Sequence, residues 1–195
     1  MESKTKNTAL LVLDLQMGTL ARLAEKEKLI ANVAAAIARA RSQEIPVIYV
    51  VLGFRNGLPE ISSNNKGFNA SRQVLSQANM DEFVEIHPDI APLPGDITVI
   101  KRRISAFTGS DLEVILRAKR IEHLILTGIS TSGVVLSTLR EATDKDYQLT
   151  VLSDCCADRD EEVHRIMTTK IFPGQAEVLT VAAWDLLLRD ELDIK

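Results

Sequence analysis

The sequence predicts an α/β protein: a mostly parallel, six-stranded sheet flanked by helices in three layers, an open sheet of the Rossmann-like kind. Three observations predict it. Strand-length apolar runs alternate with amphipathic segments along the chain, the pattern of a parallel sheet covered by helices. The first stretch, Thr8 to Gln16, begins as an unbroken apolar run in which Leu10 to Leu13 read as a strand buried on both faces. The first strand, the next helix and the second strand are spaced as a right-handed βαβ unit.

After Asp14, residues 20–41 are rich in Ala, Leu, Lys, Glu and Arg, with Leu29, Val33, Ile37 and Ala40 at helical spacing, which predicts one long amphipathic helix. Pro46 follows its end, and residues 47–52 form a second buried strand. Residues 53–96, with Gly53, Gly57, Pro59, Asn64, Asn65, Gly67, Pro88, Pro92, Pro94 and Gly95, are turn chemistry throughout, with room for a short helix over 71–77. An irregular segment of that length predicts a lid or binding loop. Residues 97–100 read as a third strand with Lys101 at its carboxyl end, and 111–120 as a helix capped by Ser110 and Glu113 in a capping box. A fourth strand over 123–127 is ended by Gly128, and a helix over 130–145 follows. A fifth strand over 147–152 ends near Asp154; then come a helix over 160–169, a short sixth strand over 176–180 and a final helix over 181–192. Trp184 and Leu186 to Leu188 supply either the core face of that helix or an interface.

A chain of 195 residues suits one domain over residues 1–195, and 46% hydrophobic residues argue for a packed core against disorder. The net charge of -4 gives no electrostatic basis for binding nucleic acid or an anionic membrane surface. No apolar run is long enough to span a bilayer. Residues 1–7 are polar and contain no secretory h-region, so a cytoplasmic location is expected. Cys155 and Cys156 are adjacent and the only cysteines, so there is no disulfide framework. Their position after the fifth strand reads as small buried residues.

The chemistry concentrates where strands end, because ligands of open α/β sheets bind outside the carboxyl edge. Three strands deliver polar groups there: Asp14, Lys101, and the turn Gly128-Ile129-Ser130-Thr131-Ser132-Gly133. Asp14 alone is either a cap residue or an acid–base group. A neighbouring ammonium lowers a carboxyl pKa, whereas burial raises it. A glycine-containing turn opening a helix presents N–H groups to a developing anion. Together these are parts of an acyl-transfer or elimination site. Phe54 and Arg55 open the irregular segment directly after a strand; Arg55 either pairs a substrate carboxylate with its fork or is solvated. No Gly-x-Gly-x-x-Gly follows the first strand, which disfavours a dinucleotide-binding oxidoreductase.

Three segments carry a family resemblance: Leu11-Val12-Leu13-Asp14-Leu15-Gln16, Val99-Ile100-Lys101-Arg102-Arg103-Ile104-Ser105-Ala106-Phe107, and Leu126-Thr127-Gly128 running on through Ser130, Gly133, Val134 and Val135 to Thr138. In this order and spacing the chain, over residues 8 to 184, resembles the isochorismatase-like hydrolases, the superfamily of nicotinamidases, N-carbamoylsarcosine amidases and isochorismatases. The resemblance implies a six-stranded sheet, an Asp–Lys–Cys triad, a cis peptide beside the helix that carries the cysteine, a small-molecule substrate and a homo-oligomer. Asp14 matches the aspartate and Lys101 the lysine. The cysteine position falls on Val134, which cannot attack a carbonyl. Ser132 is a poor substitute, with no histidine base evident beside it and an unactivated hydroxyl.

The true isochorismatases also lack the cysteine. They cleave a vinyl ether to pyruvate and a dihydroxy-cyclohexadiene acid, the aspartate acting as general acid; at the cysteine position they usually carry glycine. The resemblance therefore implies Asp14 as acid, Lys101 orienting it or binding a substrate carboxylate, and Gln16 holding a water or substrate oxygen. Arg55, Phe107, Ser130, Thr131, Ser132, Gly133 and Val134 complete the expected substrate contacts. No cofactor and no metal are expected: His87, His123 and His164 lack the Asp-x-His spacing with which nicotinamidases hold zinc. The rival expectations are a binding scaffold whose triad has decayed, and an amidase with Ser132 or one of the Cys155–Cys156 pair as nucleophile.

Overall fold

The structure is a computed structural model that describes residues 7–23 and 26–193, with side chains through Arg189. The polar residues 1–6 and two residues of the expected long helix, 24 and 25, lie outside the described residues. Six strands form one sheet, β1 (Thr8–Leu13), β2 (Val47–Leu52), β3 (Ile97–Lys101), β4 (His123–Ile129), β5 (Gln148–Ala157) and β6 (Glu177–Leu179). Their order is β3-β2-β1-β4-β5-β6 and every pairing is parallel. The strand order turns back on itself between β1 and β4. That crevice is where open α/β sheets bind ligands.

Buried apolar side chains explain the layering. All six residues of β1 are buried, and alternate ones enter opposite cores because successive side chains point to opposite faces. Leu11 and Leu13 join Ile48, Val50, Leu116 and Leu139 on the face covered by α6 (Leu112–Ala118) and α7 (Leu136–Asp144). Leu10 and Val12 join Val33, Ile37, Tyr49 and Trp184 on the face covered by α2 (Glu27–Ser42) and α9 (Val181–Asp193). Trp184 and Leu188 are therefore core residues of the last helix, while Leu186 is exposed.

Several boundaries differ from the sequence reading. The expected long helix is divided into α1 (Met17–Leu20) and α2, with the helix resuming only at Glu27. The fifth strand runs on to Ala157, so Cys155 and Cys156 lie inside it and enter opposite cores. A bulge allows this: from Leu126↔Val151 to Gly128↔Cys156, β4 advances two residues while β5 advances five. Before α7 the chain passes through a π-turn, Thr131–Val135. The expected capping box is only half formed. Ser110 Oγ accepts from the Leu112 N–H at 3.2 Å, but Glu113 turns to Lys145 at 2.7 Å. Residues 53–96 fold into three short helices, α3 (Lys66–Ala70), α4 (Arg72–Gln77) and α5 (Met80–Val84), around a small separate core of Phe54, Leu58, Ile61 and Leu75. Between α8 (Glu161–Ile166) and β6 the helix loosens into π and 3-10 turns.

Gly128 lies where β1 and β4 approach each other closely. It pairs with Leu13 across the β1–β4 ladder at φ +135°, and a Cβ there would fall onto the Leu13 carbonyl oxygen. Gly128→Ala is expected to cost at least about 2 kcal/mol, because both the backbone conformation and the space exclude a methyl group. Urea unfolding of the two proteins measures it.

Candidate active site

Asp14 follows the last residue of β1 and adopts φ +54°, a left-handed conformation that Asp tolerates better than most residues. Its N–H donates to Val50 O at 2.8 Å, and its carbonyl accepts from the Thr19 hydroxyl. The carboxyl group is thereby aimed from the sheet edge into a cavity of about 460 Å³.

Lys101 ends β3, two strands away, and its side chain returns across the end of β2. Its Nζ lies 2.9 Å from Asp14 Oδ2 and also donates to Arg103 O at 2.9 Å and Ile104 O at 3.0 Å. Three acceptors use the three protons of an ammonium. Lys101 is 1% exposed, so within this arrangement it orients Asp14 and has no proton left for a substrate carboxylate.

The other carboxyl oxygen, Asp14 Oδ1, is buried and has no hydrogen-bond partner. Burial pushes the Asp14 pKa up to about 6; the Lys101 charge and hydrogen bond pull the other way and do not cancel it. A carboxyl group in this state, on the wall of the cavity, keeps its proton to higher pH than an ordinary aspartate.

The remaining walls come from five places. The β4 turn supplies Ser130, Gly133 and Val134, and the Ile129–Ser130 peptide is cis. Residues 53–96 supply Phe68, Leu75 and Phe83; the loop after β3 supplies Ile104. Arg22, and the segment Asp158 and Arg159 after β5, add charged side chains to the lining. Apolar area dominates, as in most small-molecule sites.

The other expected contacts are elsewhere. Gln16 is fully buried and off the cavity wall; its amide donates to Leu52 O at 2.8 Å and Phe83 O at 2.9 Å and accepts from Leu52 N–H at 2.6 Å. With its amide spent on backbone, it does not hold a water or substrate oxygen. Arg55 is exposed and paired with Glu60 at 2.6 Å, outside the cavity. Phe107 sits in the core, 5.9 Å from the Tyr147 ring. Thr131 and Ser132 lie behind the wall: Thr131 Oγ1 is 2.8 Å from His164 Nδ1, and both the Ser132 hydroxyl and N–H donate to Asp158 Oδ2, at 2.7 and 2.8 Å. His164 is thus a partner for Thr131, its pKa lowered by burial against the opposing pull of Asp158. Both thiols are buried away from the cavity, and burial raises their pKa, that of Cys156 to about 12. Neither is a ready thiolate at neutral pH.

The isochorismatase domain model matches residues 8–183. The chain belongs to the isochorismatase family. Among its relatives is the uncharacterized isochorismatase family protein YecD of Escherichia coli O157:H7, 30% identical over 185 residues, 93% of this chain and 96% of the relative. A ureidoacrylate amidohydrolase, RutB of Stutzerimonas stutzeri, is 30% identical over 173 residues, 77% of this chain and 70% of the relative. An isochorismatase family protein from Burkholderia thailandensis has a solved structure that superposes with a TM-score of 0.83 at 29% identity, covering 96% of this chain and 98% of that one. The chain is therefore a hydrolase of the isochorismatase family, a group acting on small molecules. No helix among the described residues is long and apolar enough to cross a membrane.

Sequence reasoning missed Arg22, Phe83, Asp158 and Arg159. Each reaches the cavity from a turn or short helix whose course depends on tertiary packing, and none carries a local signal of its own.

Proposed function

We propose that this hydrolase cleaves a small vinyl ether, of which isochorismate is the representative, by general acid catalysis at Asp14. One observation carries the reading: a carboxyl group on the cavity wall whose Oδ1 is buried and unpartnered and whose pKa is pushed up to about 6. Asp14 delivers that proton to the terminal carbon of the enol ether, leaving an oxocarbenium ion. Water adds to the cation, and the Asp14 carboxylate takes back the proton that the water releases. The resulting hemiketal separates into a ketone, pyruvate for an enolpyruvyl group, and an alcohol. Lys101 keeps the carboxyl group turned toward the substrate. Arg22 and Arg159, in no ion pair among the described residues, suit the carboxylates of such a molecule, and the apolar walls suit its ring.

Val134 stands at the position where the resemblance places a cysteine, and its side chain offers no nucleophile. The amidase relatives favour a second reading, hydrolysis of a small amide. Against it, the Ser132 hydroxyl is committed to Asp158 and off the cavity wall, and the cysteines are buried elsewhere. The test is incubation with isochorismate and with a panel of small amides that includes ureidoacrylate, following pyruvate and ammonia together. Pyruvate equimolar with the isochorismate consumed is expected. Ammonia release without pyruvate sinks the vinyl-ether reading in favour of the amidase. No product from either, with unchanged ligand binding in Asp14→Asn and Lys101→Ala, sinks both in favour of a scaffold.

A further inference from the structure

We propose that Phe83 sets the size of the group admitted beside Asp14, and that Gln16 and Gly18 are the positioning residues that hold it there. The proposal rests on the reading of the cavity as the substrate site, not on the reaction carried out in it. Phe83 belongs to α5, in the segment with its own small core, and its ring forms part of the cavity wall. That segment is fastened to the turn that follows Asp14. The Gln16 amide bonds to Leu52 and Phe83 at once, joining the end of β2 to α5. The Met17 N–H donates to Glu85 O at 2.7 Å and the His87 N–H to Leu15 O at 3.3 Å, so backbone bonds flank the same joint.

Gly18 completes the arrangement. The Phe83 ring lies so close over it that a Cβ at position 18 would occupy the same space as the ring. A methyl group there requires the ring to move. Gln16 holds the backbone carbonyl of Phe83, so the ring's freedom is rotation about its own side-chain bonds, away from α1 and toward the cavity it lines. Glycine at 18 thus keeps the cavity at its full width, and the α5 segment inherits its distance from Asp14 through two residues of the same turn.

The test is isothermal titration with two probes of different bulk, cyclohexanecarboxylate and 2-naphthoate, on the parent, Gly18→Ala, Phe83→Ala and the double variant. Gly18→Ala is expected to weaken 2-naphthoate at least tenfold more than cyclohexanecarboxylate. Phe83→Ala is expected to shift the preference at least tenfold toward 2-naphthoate. The double variant should then show the Phe83→Ala preference, because the glycine acts only through the ring. A helix-stability effect of the added methyl group would not cancel on removing a ring. If both acids bind the parent but the preference is the same in all four proteins, the proposal fails and the cavity reading survives. If neither acid binds the parent, both fail. Separately, Gln16→Met is expected to speed hydrogen exchange of the His87 amide at least tenfold; an unchanged rate removes Gln16 from the role.

Discussion

Replacing Asp14 by Asn should lower kcat on the cleaved substrate at least about 10³-fold while leaving the protein folded. The substitution isolates the proton. Asn tolerates the left-handed backbone that position 14 adopts at φ +54°, so no strain is added. Its amide oxygen can accept from Lys101 Nζ in place of Oδ2, so the lysine keeps three acceptors. What is lost is the acidic hydrogen at Oδ1, since an amide N–H does not transfer at these pH values. Steady-state kinetics measures the effect, and a thermal melt of each protein checks the fold. Retention of more than a tenth of the parental kcat would show that another group supplies the proton.

The parent's pH profile tests the same residue from the other side. The active form is the acid, so kcat is expected to be level at low pH and to fall as pH rises through about 6, where Asp14 ionises. The same shift sets a stability dependence. The folded carboxyl group holds its proton to higher pH than the unfolded one, whose value is near 3.8, so the folded state binds more protons between about 4 and 6. This contribution to stability is fully present below that window and is lost as pH rises through it.

The sheet was legible because hydrophobic burial writes itself into local pattern. An uninterrupted run such as Leu10 to Leu13 admits few placements besides a doubly covered strand, and Asp14 and Lys101 could be placed at strand ends from position alone. The cis peptide at Ile129–Ser130 and the place of Val134 on the wall followed the resemblance. Side-chain destinations were not legible. Gln16 looks like a ligand-binding amide until its three backbone partners, two from Leu52 and one from Phe83, are known. Arg55 follows its strand by three residues yet turns to Glu60, five residues on, because the chain folds back there. Arg22 and Arg159, by contrast, sit in irregular segments with no periodicity and reach the cavity only through the tertiary fold. The length of β5 was missed for a related reason: Ser153 and Asp154 interrupt the apolar run, but a bulge against β4 lets the strand continue.

Lys101→Met should move the descending limb of the pH profile toward alkaline pH by at least about one unit and cut kcat by about 10²-fold at the parental optimum. The sign follows from what the lysine does to Asp14. Its charge and hydrogen bond lower a pKa that burial raises, so without them burial acts alone and the carboxyl group holds its proton longer. A stronger grip on the proton also makes a weaker acid, which slows its transfer to carbon. The loop after β3 adds a second loss. Lys101 bonds the carbonyls of Arg103 and Ile104, and Ile104 lines the cavity; Met fills the space of the stem but supplies no donor. Two orphaned carbonyls cost about 1–3 kcal/mol each where they stay buried, so the loop is expected to shift until water reaches them. Unfolding and kinetics together separate the two effects. A Met variant that loses stability and activity while its pH limb stays in place would make Lys101 a strut for the loop alone, whereas the alkaline shift requires that it govern the proton on Asp14.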